Sequence, residues 1–332
     1  MNRDKFLLLQ NNNANAVRLE CAIFADAIKN GMIETKSENK IEGIKALVSK
    51  RKIQMLIGFC TKQYILSGTQ LERYLIECHK MGRTPIILFL NSFFAEIRYP
   101  FQALMYLKKK YNAHYVLYFI DTIEKDVSLY AYYLFRKKVF DLVYTFDYLD
   151  SVKYGIKYWL TPYSCVDIRQ DNIKEKVDIY FCGVDSDRSE IINEISNNKK
   201  IGYNMDIISV EGKIIPKTGI NLHPLGETLP YSVVLERTLE ANTILEIMRP
   251  GQVGFTLRTF EAIVYNKKLL TNNTRIIESP FYDSRYVKVF DSVNNIDWNW
   301  VARKECVDYK YNGEFSPARF VEEIRKSLYE TS

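Results

Sequence analysis

Short apolar runs alternate with amphipathic stretches along the first half of the chain. Apolar runs bounded by turn residues predict strands, and apolar positions three and four residues apart predict helices. Residues 86–90 (Ile-Ile-Leu-Phe-Leu) are apolar throughout, which indicates a strand covered on both faces, as in a parallel sheet. The predicted strands are residues 5–10, 54–59, 85–90, 115–120 and 142–146, and the predicted helices are residues 14–30, 71–81, 101–111 and 129–138.

The second half repeats this alternation after a polar stretch, residues 163–176, which has no periodicity and predicts a domain boundary. Ser316 and Pro317 favour a final helix, because Ser caps a helix start and Pro is tolerated at the first helical position. The pattern predicts an α/β protein with two doubly wound, Rossmann-like halves facing a central cleft. The predicted strands here are residues 178–183, 205–210, 243–247, 268–271 and 287–290, and the helices are 188–197, 231–241, 257–266 and 317–329.

Composition narrows the class of protein. Of 332 residues, 47% are hydrophobic and 14% are aromatic, which supports packed cores and excludes global disorder. No apolar run approaches the roughly 18 residues of a membrane-spanning helix. Six cysteines without a C-x-x-C pair and only three histidines argue against a zinc site or a disulfide framework. We therefore expect a soluble cytoplasmic protein without a metal or other cofactor.

The charge balance, 46 − 40 = +6, is mild, and no nucleic-acid-binding motif is present, so no nucleic-acid partner is expected. Basic and aromatic residues do occur together in residues 106–111 and 132–140. Lys108, Lys109 and Lys110 lie in the first segment, and Arg136, Lys137 and Lys138 in the second. Such segments favour either a peripheral contact with an anionic membrane or solvated helix ends.

One strand-to-helix junction carries the clearest chemical signal. A loop with Gly251 and Gly254 follows a predicted strand, and a helix then begins near Thr256. Glycines let backbone N–H groups approach a ligand, and a helix start favours anions, so the junction suits a diphosphate. Arg258 offers a charged fork to phosphate oxygens, and Glu261 can accept hydrogen bonds from ribose hydroxyls. The alternative is a capped helix with a local Arg258–Glu261 pair. Gln252 and Thr259 complete the predicted nucleotide contacts.

A second junction points to the same ligand. Gly183 ends a predicted strand and Arg188 begins the next helix, so both are predicted nucleotide contacts. The chain contains neither Gly-x-Gly-x-x-Gly nor Gly-x-x-x-x-Gly-Lys-Ser/Thr, which disfavours dinucleotide-dependent hydride transfer and P-loop phosphoryl transfer.

Residues 250–262 and 266–273 resemble the carboxyl-terminal half of bacterial capsule and lipopolysaccharide glycosyltransferases, and residues 140–155 resemble the last strand and helix of their amino-terminal half. These enzymes have the GT-B architecture. The resemblance implies an acceptor-binding domain at residues 1–165, a donor-binding domain at 170–315 and a closing helix at 316–332. It implies a nucleotide-sugar donor, a saccharide or lipid-linked saccharide acceptor, and no metal.

Within this resemblance Glu261 takes the ribose, and Arg258 with residues 254–256 takes the diphosphate. His223 resembles the His of a His-Pro pair in some bacterial sialyltransferases, where it would contact a phosphate, although a loop histidine is the plainer alternative. An inverting transfer also needs a base. Asp121 is the predicted base, with Asp26 and Glu96 as alternatives.

Two other function classes stay open at the sequence level. A sugar-nucleotide epimerase of GT-B shape would isomerise a donor without an acceptor. A non-catalytic nucleotide- or glycan-binding protein would consume no donor.

Overall fold

The computed structural model describes residues 4–11, 20, 23–39, 66–166, 175–227, 229–250 and 252–330. The predicted strand 54–59, most of residues 14–22 and Gly251 lie outside these ranges. The chain divides into two compact units. Unit 1 comprises Met1–Ser164 and Phe315–Ser332, and unit 2 comprises Cys165–Glu314.

Unit 1 contains a sheet of six parallel strands among the described residues, in the order β2-β1-β3-β4-β5-β6. The central strands are apolar on both faces, and residues 86–90 of β3 are at most 1% exposed. Burial of both faces is what a parallel sheet covered by helices requires. The strands are β1 (Asp4–Asn11), β2 (Glu34–Glu38), β3 (Thr84–Leu90), β4 (His114–Phe119), β5 (Leu142–Thr145) and β6 (Lys157–Tyr158).

Helices α2, α4 and α5 of unit 1 bury apolar residues in its core, among them Leu75, Leu104 and Leu134. Helix α6 shows local control of both ends: Asp147 caps its first backbone N–H groups, and Gly155 ends it in the left-handed conformation at φ 64°. The helices are α1 (Ala25–Lys29), α2 (Gln70–Lys80), α3 (Asn91–Glu96), α4 (Phe101–Lys110), α5 (Leu129–Arg136), α6 (Tyr148–Tyr154) and the last helix of the chain, α11 (Pro317–Tyr329).

Helix α11 packs within unit 1, although it follows unit 2 in sequence. Its start is capped by Ser316, with Pro317 in the first turn. The Phe320 ring lies 5.3 Å from the ring of Tyr118 and 5.2 Å from that of Tyr144. The helix is therefore part of the unit 1 core.

Unit 2 has a second parallel sheet, in the order β12-β11-β10-β7-β8-β9. Renumbered from β7, this is the 3-2-1-4-5-6 order of the Rossmann fold. All six residues of β10 are buried. The strands are β7 (Val177–Val184), β8 (Tyr203–Ser209), β9 (Ile220–Pro224), β10 (Ala241–Glu246), β11 (Lys268–Thr271) and β12 (Val287–Val289), and the helices are α7 (Ser189–Ser196), α8 (Tyr231–Leu239), α9 (Leu257–Val264) and α10 (Trp298–Ala302).

The prediction of two doubly wound α/β halves is confirmed. Sequence patterning missed several short or exposed elements, among them β2, α3, β9 and α10. No helix among the described residues is long and apolar enough to cross a membrane.

Candidate functional site

The candidate site lies at one edge of the unit 2 sheet, where β7 and β10 end side by side. The chain runs outward from β7 through β8 to β9, then crosses back to β10, so the strand order reverses between β7 and β10. In open parallel sheets such a reversal opens a crevice outside the carboxyl ends of the strands, where ligands bind. Both junctions singled out in the sequence therefore lie at the edge where such a crevice is expected.

Gly183 and Arg188 contact each other at this edge. Nη1 of Arg188 donates to the Val184 carbonyl at 3.2 Å, and a Cβ added to Gly183 would lie 2.8 Å from that same nitrogen. Glycine at position 183 is thus what lets the guanidinium fold back over the end of β7. The Nε of Arg188 is buried and has no hydrogen-bond partner in the described part of the chain.

Arg249 is a site residue that the sequence analysis missed. It lies in the loop directly after β10, and its Nε is also buried without a hydrogen-bond partner among the described residues. Burial, together with the positive charges of Arg249 and Arg258, lowers the pKa of Arg188 to about 10. Arg258 is paired with Glu261, but neither Arg188 nor Arg249 forms an ion pair among the described residues. Two such cations close together form a site for an anionic ligand. The one feature of the sequence that could have pointed to Arg249 is its position in the loop after a predicted buried strand.

Arg258 and Glu261 pair with each other. Nη1 of Arg258 donates to both Glu261 oxygens, at 2.7 and 2.6 Å, and its Nε and Nη2 donate to the Cys182 carbonyl at 3.3 and 3.1 Å. Burial disfavours the charged guanidinium of Arg258, but the negative charge of Glu261 outweighs this effect and raises the pKa of Arg258. Glu261 has no exposed surface, and the Tyr231 hydroxyl donates to it at 2.9 Å. The contacts of Glu261 with a ribose and of Arg258 with a diphosphate stay predictions. Either contact would require the hydrogen bonds described here to break.

The start of α9 is held by a second buried carboxylate, Glu246. The hydroxyls of Thr256, Thr259 and Thr271 donate to Glu246 at 2.5, 2.8 and 2.6 Å. Thr256 also caps α9 by accepting from the Arg258 backbone N–H. Thr256 and Thr259 therefore fix the helix start, and a direct contact of either with a nucleotide stays a prediction.

Two other predicted contacts lie in the loop between β10 and α9. The Gln252 backbone N–H donates to the Arg249 carbonyl at 3.1 Å, and the Gly254 carbonyl accepts from the Asn273 side chain at 3.4 Å. Both residues shape the loop that carries Arg249.

The loop after β7 contains an Asp-x-Asp triplet, Asp185-Ser186-Asp187, which the expectation of metal independence did not take into account. Asp185 is fully buried, and its carboxylate accepts from the Ser209 hydroxyl and from the backbone N–H groups of Val210 and Glu211. This carboxylate fastens the β7 loop to the end of β8. Among the described residues no group of three or more His, Cys, Asp or Glu could hold a metal ion.

His223 lies on β9 rather than in a loop, and it contacts a buried aspartate. Its Nε2 is 3.1 Å from Asp206, which is 1% exposed and also accepts from the Tyr180 hydroxyl at 2.8 Å and from Arg237. Burial opposes ionisation, but the hydrogen bonds from Arg237, His223 and Tyr180 lower the pKa of Asp206. The phosphate contact of His223 stays a prediction that this pairing does not favour.

The three predicted bases lie in unit 1. Asp121 follows β4 and forms an ion pair with Lys125 at 2.6 Å. Asp26 accepts from the Ser164 hydroxyl at 2.9 Å, and burial raises its pKa. Glu96 ends α3 and is half-buried.

No protein-family model matches the sequence, and no curated protein sequence matches it. Among solved structures, an alpha-glucosyltransferase in complex with UDP and a 13-mer DNA aligns with a TM-score of 0.57 at 10% identity, over 98% of this chain and 99% of that one. The catalytic domain of starch synthase IV from Arabidopsis thaliana, bound to ADP and acarbose, aligns with a TM-score of 0.53 at 8% identity, over 100% and 99%. The chain has the GT-B fold.

A UDP-GlcNAc 2-epimerase from Methanocaldococcus jannaschii aligns less well, with a TM-score of 0.49 at 10% identity, over 98% of this chain and 99% of that one. Structural alignments at such low identity show the fold alone, so the reaction has to be argued from the site. The predicted fold is thereby confirmed.

Proposed function

We propose that the protein is a glycosyltransferase that uses a nucleotide diphosphate sugar as donor. The observation that carries the proposal is the pair Arg188 and Arg249, at the strand-order reversal of unit 2. Their buried Nε groups have no hydrogen-bond partner among the residues that the structure describes. A guanidinium is the side chain best suited to two phosphate oxygens at once. Solved structures of this fold that hold UDP and ADP support a nucleotide as the anion.

The proposed chemistry follows from the charge on the leaving group. As the bond between the sugar and the diphosphate breaks, negative charge grows on the diphosphate. In this proposal Arg188 and Arg249 stabilise that charge, and Gly183 leaves room for the Arg188 guanidinium at the end of β7. In this proposal the Arg258–Glu261 pair holds β7 and α9 together. Arg188 and Arg249 supply the positive charge that stabilises the leaving diphosphate, in place of a metal ion.

The acceptor that we propose is a saccharide or lipid-linked saccharide of bacterial surface polysaccharide synthesis, as the sequence resemblance implies. A lipid-linked acceptor requires the protein to visit an anionic membrane. Helices α4 and α5 both end at the amino edge of the unit 1 sheet, because helices between parallel strands run opposite to them. Their exposed cations therefore share one edge: Lys109, Lys110, Arg136, Lys137 and Lys138.

Lys108 departs from this surface. Its Nζ is 2.8 Å from Asp141 and donates to the Val139 carbonyl at 2.9 Å. We therefore propose a basic edge made of the five exposed cations, without Lys108.

The proposed function is tested by measuring which products a panel of nucleotide sugars gives. UDP-glucose, UDP-N-acetylglucosamine, GDP-mannose and ADP-glucose are each incubated with and without a mixture of nitrophenyl glycosides, in parallel with EDTA. Nucleotide release that needs the glycosides and survives EDTA supports the proposal. An isomerised sugar without acceptor identifies an epimerase, donor binding without consumption identifies a binding protein, and activity lost to EDTA and restored by magnesium contradicts metal independence.

A further inference from the structure

A buried carboxylate of unit 1 lies where the strand order of that sheet reverses. In the order β2-β1-β3-β4-β5-β6, the chain moves outward from β1 to β2 and then resumes on the other side of β1 with β3. The carboxyl ends of β1 and β3 therefore border the ligand crevice expected for such a sheet. Glu20 contacts both ends: it accepts from Gln10, on β1, and from Ser92, directly after β3.

Both described hydrogen-bond partners of Glu20 are polar and uncharged. The Gln10 amide donates to one carboxylate oxygen at 3.1 Å and the Ser92 hydroxyl donates to the other at 2.7 Å. The residue is 3% exposed, and none of the ion pairs among the described residues includes it. Two donors occupy about half of the lone-pair positions of a carboxylate, so the others can accept from a ligand.

Burial raises the pKa of Glu20, and the hydrogen bonds from Ser92 and Gln10 offset part of that rise. A carboxylate with a raised pKa is a stronger base than an exposed one, because its charged form is less well solvated. Asp121 differs in its contacts, since it forms an ion pair with Lys125 at 2.6 Å.

We infer that Glu20 is the catalytic base of an inverting transfer, an inference that rests on the proposed function. The Glu20 carboxylate takes the proton of the acceptor hydroxyl as that oxygen bonds to the anomeric carbon of the donor sugar. The bond from that carbon to the diphosphate breaks at the same time, and the electron pair leaves with the nucleotide diphosphate. The products are the glycoside, the nucleotide diphosphate and protonated Glu20.

The first test compares Glu20→Gln with the parent for nucleotide release in the presence of the glycoside mixture. The amide keeps the size of the side chain but takes no proton, so we expect kcat to fall by about 100-fold or more, as for loss of a general base. Affinity for UDP should be unchanged, because the predicted nucleotide contacts lie in unit 2. Asp150→Asn is the matched control, because Asp150 is also a buried carboxylate of unit 1 with a raised pKa. Among the described residues its carboxylate accepts only from the Ile123 backbone N–H, so this variant should retain kcat.

The second test uses Ser92→Ala, which leaves Glu20 in place and removes one donor to it. Loss of that hydrogen bond raises the pKa of Glu20 further, so the acidic limb of the pH–rate profile should move to higher pH. A purely structural Glu20 would leave the limb where it is.

The outcomes separate the two claims. A parent that releases no nucleotide with any donor and acceptor contradicts the proposed function and Glu20 with it. A parent that is active while Glu20→Gln keeps its kcat overturns the inference alone, as does an unmoved acidic limb in Ser92→Ala. If Glu20→Gln fails to fold, the Ser92→Ala profile decides.

Discussion

The guanidinium of Arg258 donates to both carboxylate oxygens of Glu261, one turn further along α9. The same guanidinium donates to the carbonyl of Cys182 on β7. The two side chains thus hold a helix start against the end of the first strand of unit 2. This is the place at which a nucleotide is proposed to bind.

Removal of either member of this pair should destabilise unit 2. Glu261 has no exposed surface, so Arg258→Ala leaves a buried carboxylate without its cation, at a cost of about 3–5 kcal/mol. Glu261→Ala strands the cation in the same way. The double variant Arg258→Met/Glu261→Met should lose less stability in urea unfolding than Arg258→Met and Glu261→Met lose in sum. Single variants of parental stability that lose UDP binding would instead establish the direct ligand contacts predicted from the sequence.

Gly183→Ala should weaken nucleotide binding with little loss of stability. The added methyl group would lie 2.8 Å from Nη1 of Arg188 and must push that flexible guanidinium out of place, while the Phe181 ring, 3.0 Å away, needs to shift by only a few tenths of an ångström. We expect UDP affinity to fall by roughly fivefold, which corresponds to about 1 kcal/mol. Gly202→Ala is the matched control, because a Cβ there meets no atom closer than 3.7 Å. Equal UDP affinity in the two variants would remove Gly183 from the site.

The sequence predicts the sheets well for a physical reason. Parallel strands covered on both faces must be apolar throughout, and runs such as 86–90 stand out against their surroundings. Edge strands lack this constraint. Strand β2 (Glu-Thr-Lys-Ser-Glu) has no apolar residue, and β9 leaves Leu222 at 41% exposure. Neither is visible as a strand without the pairing that the fold provides.

The sequence predicts a candidate site at one edge of the unit 2 sheet, but it does not show which contacts the residues there make. Two glycine-containing junctions marked the edge where β7 and β10 end. Helical spacing brings Arg258 and Glu261 together at i and i+3, so the two residues predicted to contact a nucleotide form an ion pair with each other. Arg249 carries no motif, and only the fold brings it near Arg188. The proposed role of Glu20 likewise rests on contacts that only the fold shows, with Gln10 and with Ser92, which is distant in sequence.

Arg237→Ala should destabilise unit 2 in a pH-dependent way. Asp206 is buried and its pKa is lowered with Arg237 as the strongest partner, so its stabilising charge is present above about pH 4 and is lost as pH falls through the lowered value. The Arg237 side chain is 30% exposed, so we expect a loss of roughly 2–3 kcal/mol at pH 7, less than for a fully buried pair. Without Arg237, burial favours the protonated carboxyl, so the loss should shrink towards pH 4. Urea unfolding at both pH values measures this, and a pH-independent loss would contradict it.

The basic edge of unit 1 should bind anionic vesicles at low salt. Each Lys or Arg near an anionic surface contributes about 1 kcal/mol, so changing the five exposed cations to Gln should abolish sedimentation with phosphatidylglycerol vesicles. A control variant changes the same number of exposed lysines in unit 2: Lys199, Lys200, Lys213, Lys304 and Lys310. Equal sedimentation of both variants, or pelleting with neutral vesicles, would contradict a role for this edge.

The central claim is that Arg188 and Arg249 form a diphosphate site, and calorimetric titration with inorganic pyrophosphate and UDP tests it most directly. Pyrophosphate reports on the phosphate contacts whatever base the natural nucleotide carries. Loss of a charge-assisted hydrogen bond costs about 1.5–3 kcal/mol, so Arg188→Ala and Arg249→Ala should each weaken both ligands by roughly 10- to 150-fold. Arg285→Ala should bind like the parent, because Arg285 is exposed, pairs with Asp283 and precedes β12 at the amino edge of the sheet. Parental affinity in a protein that lacks both Arg188 and Arg249, or no binding of either ligand to the parent, would contradict the claim.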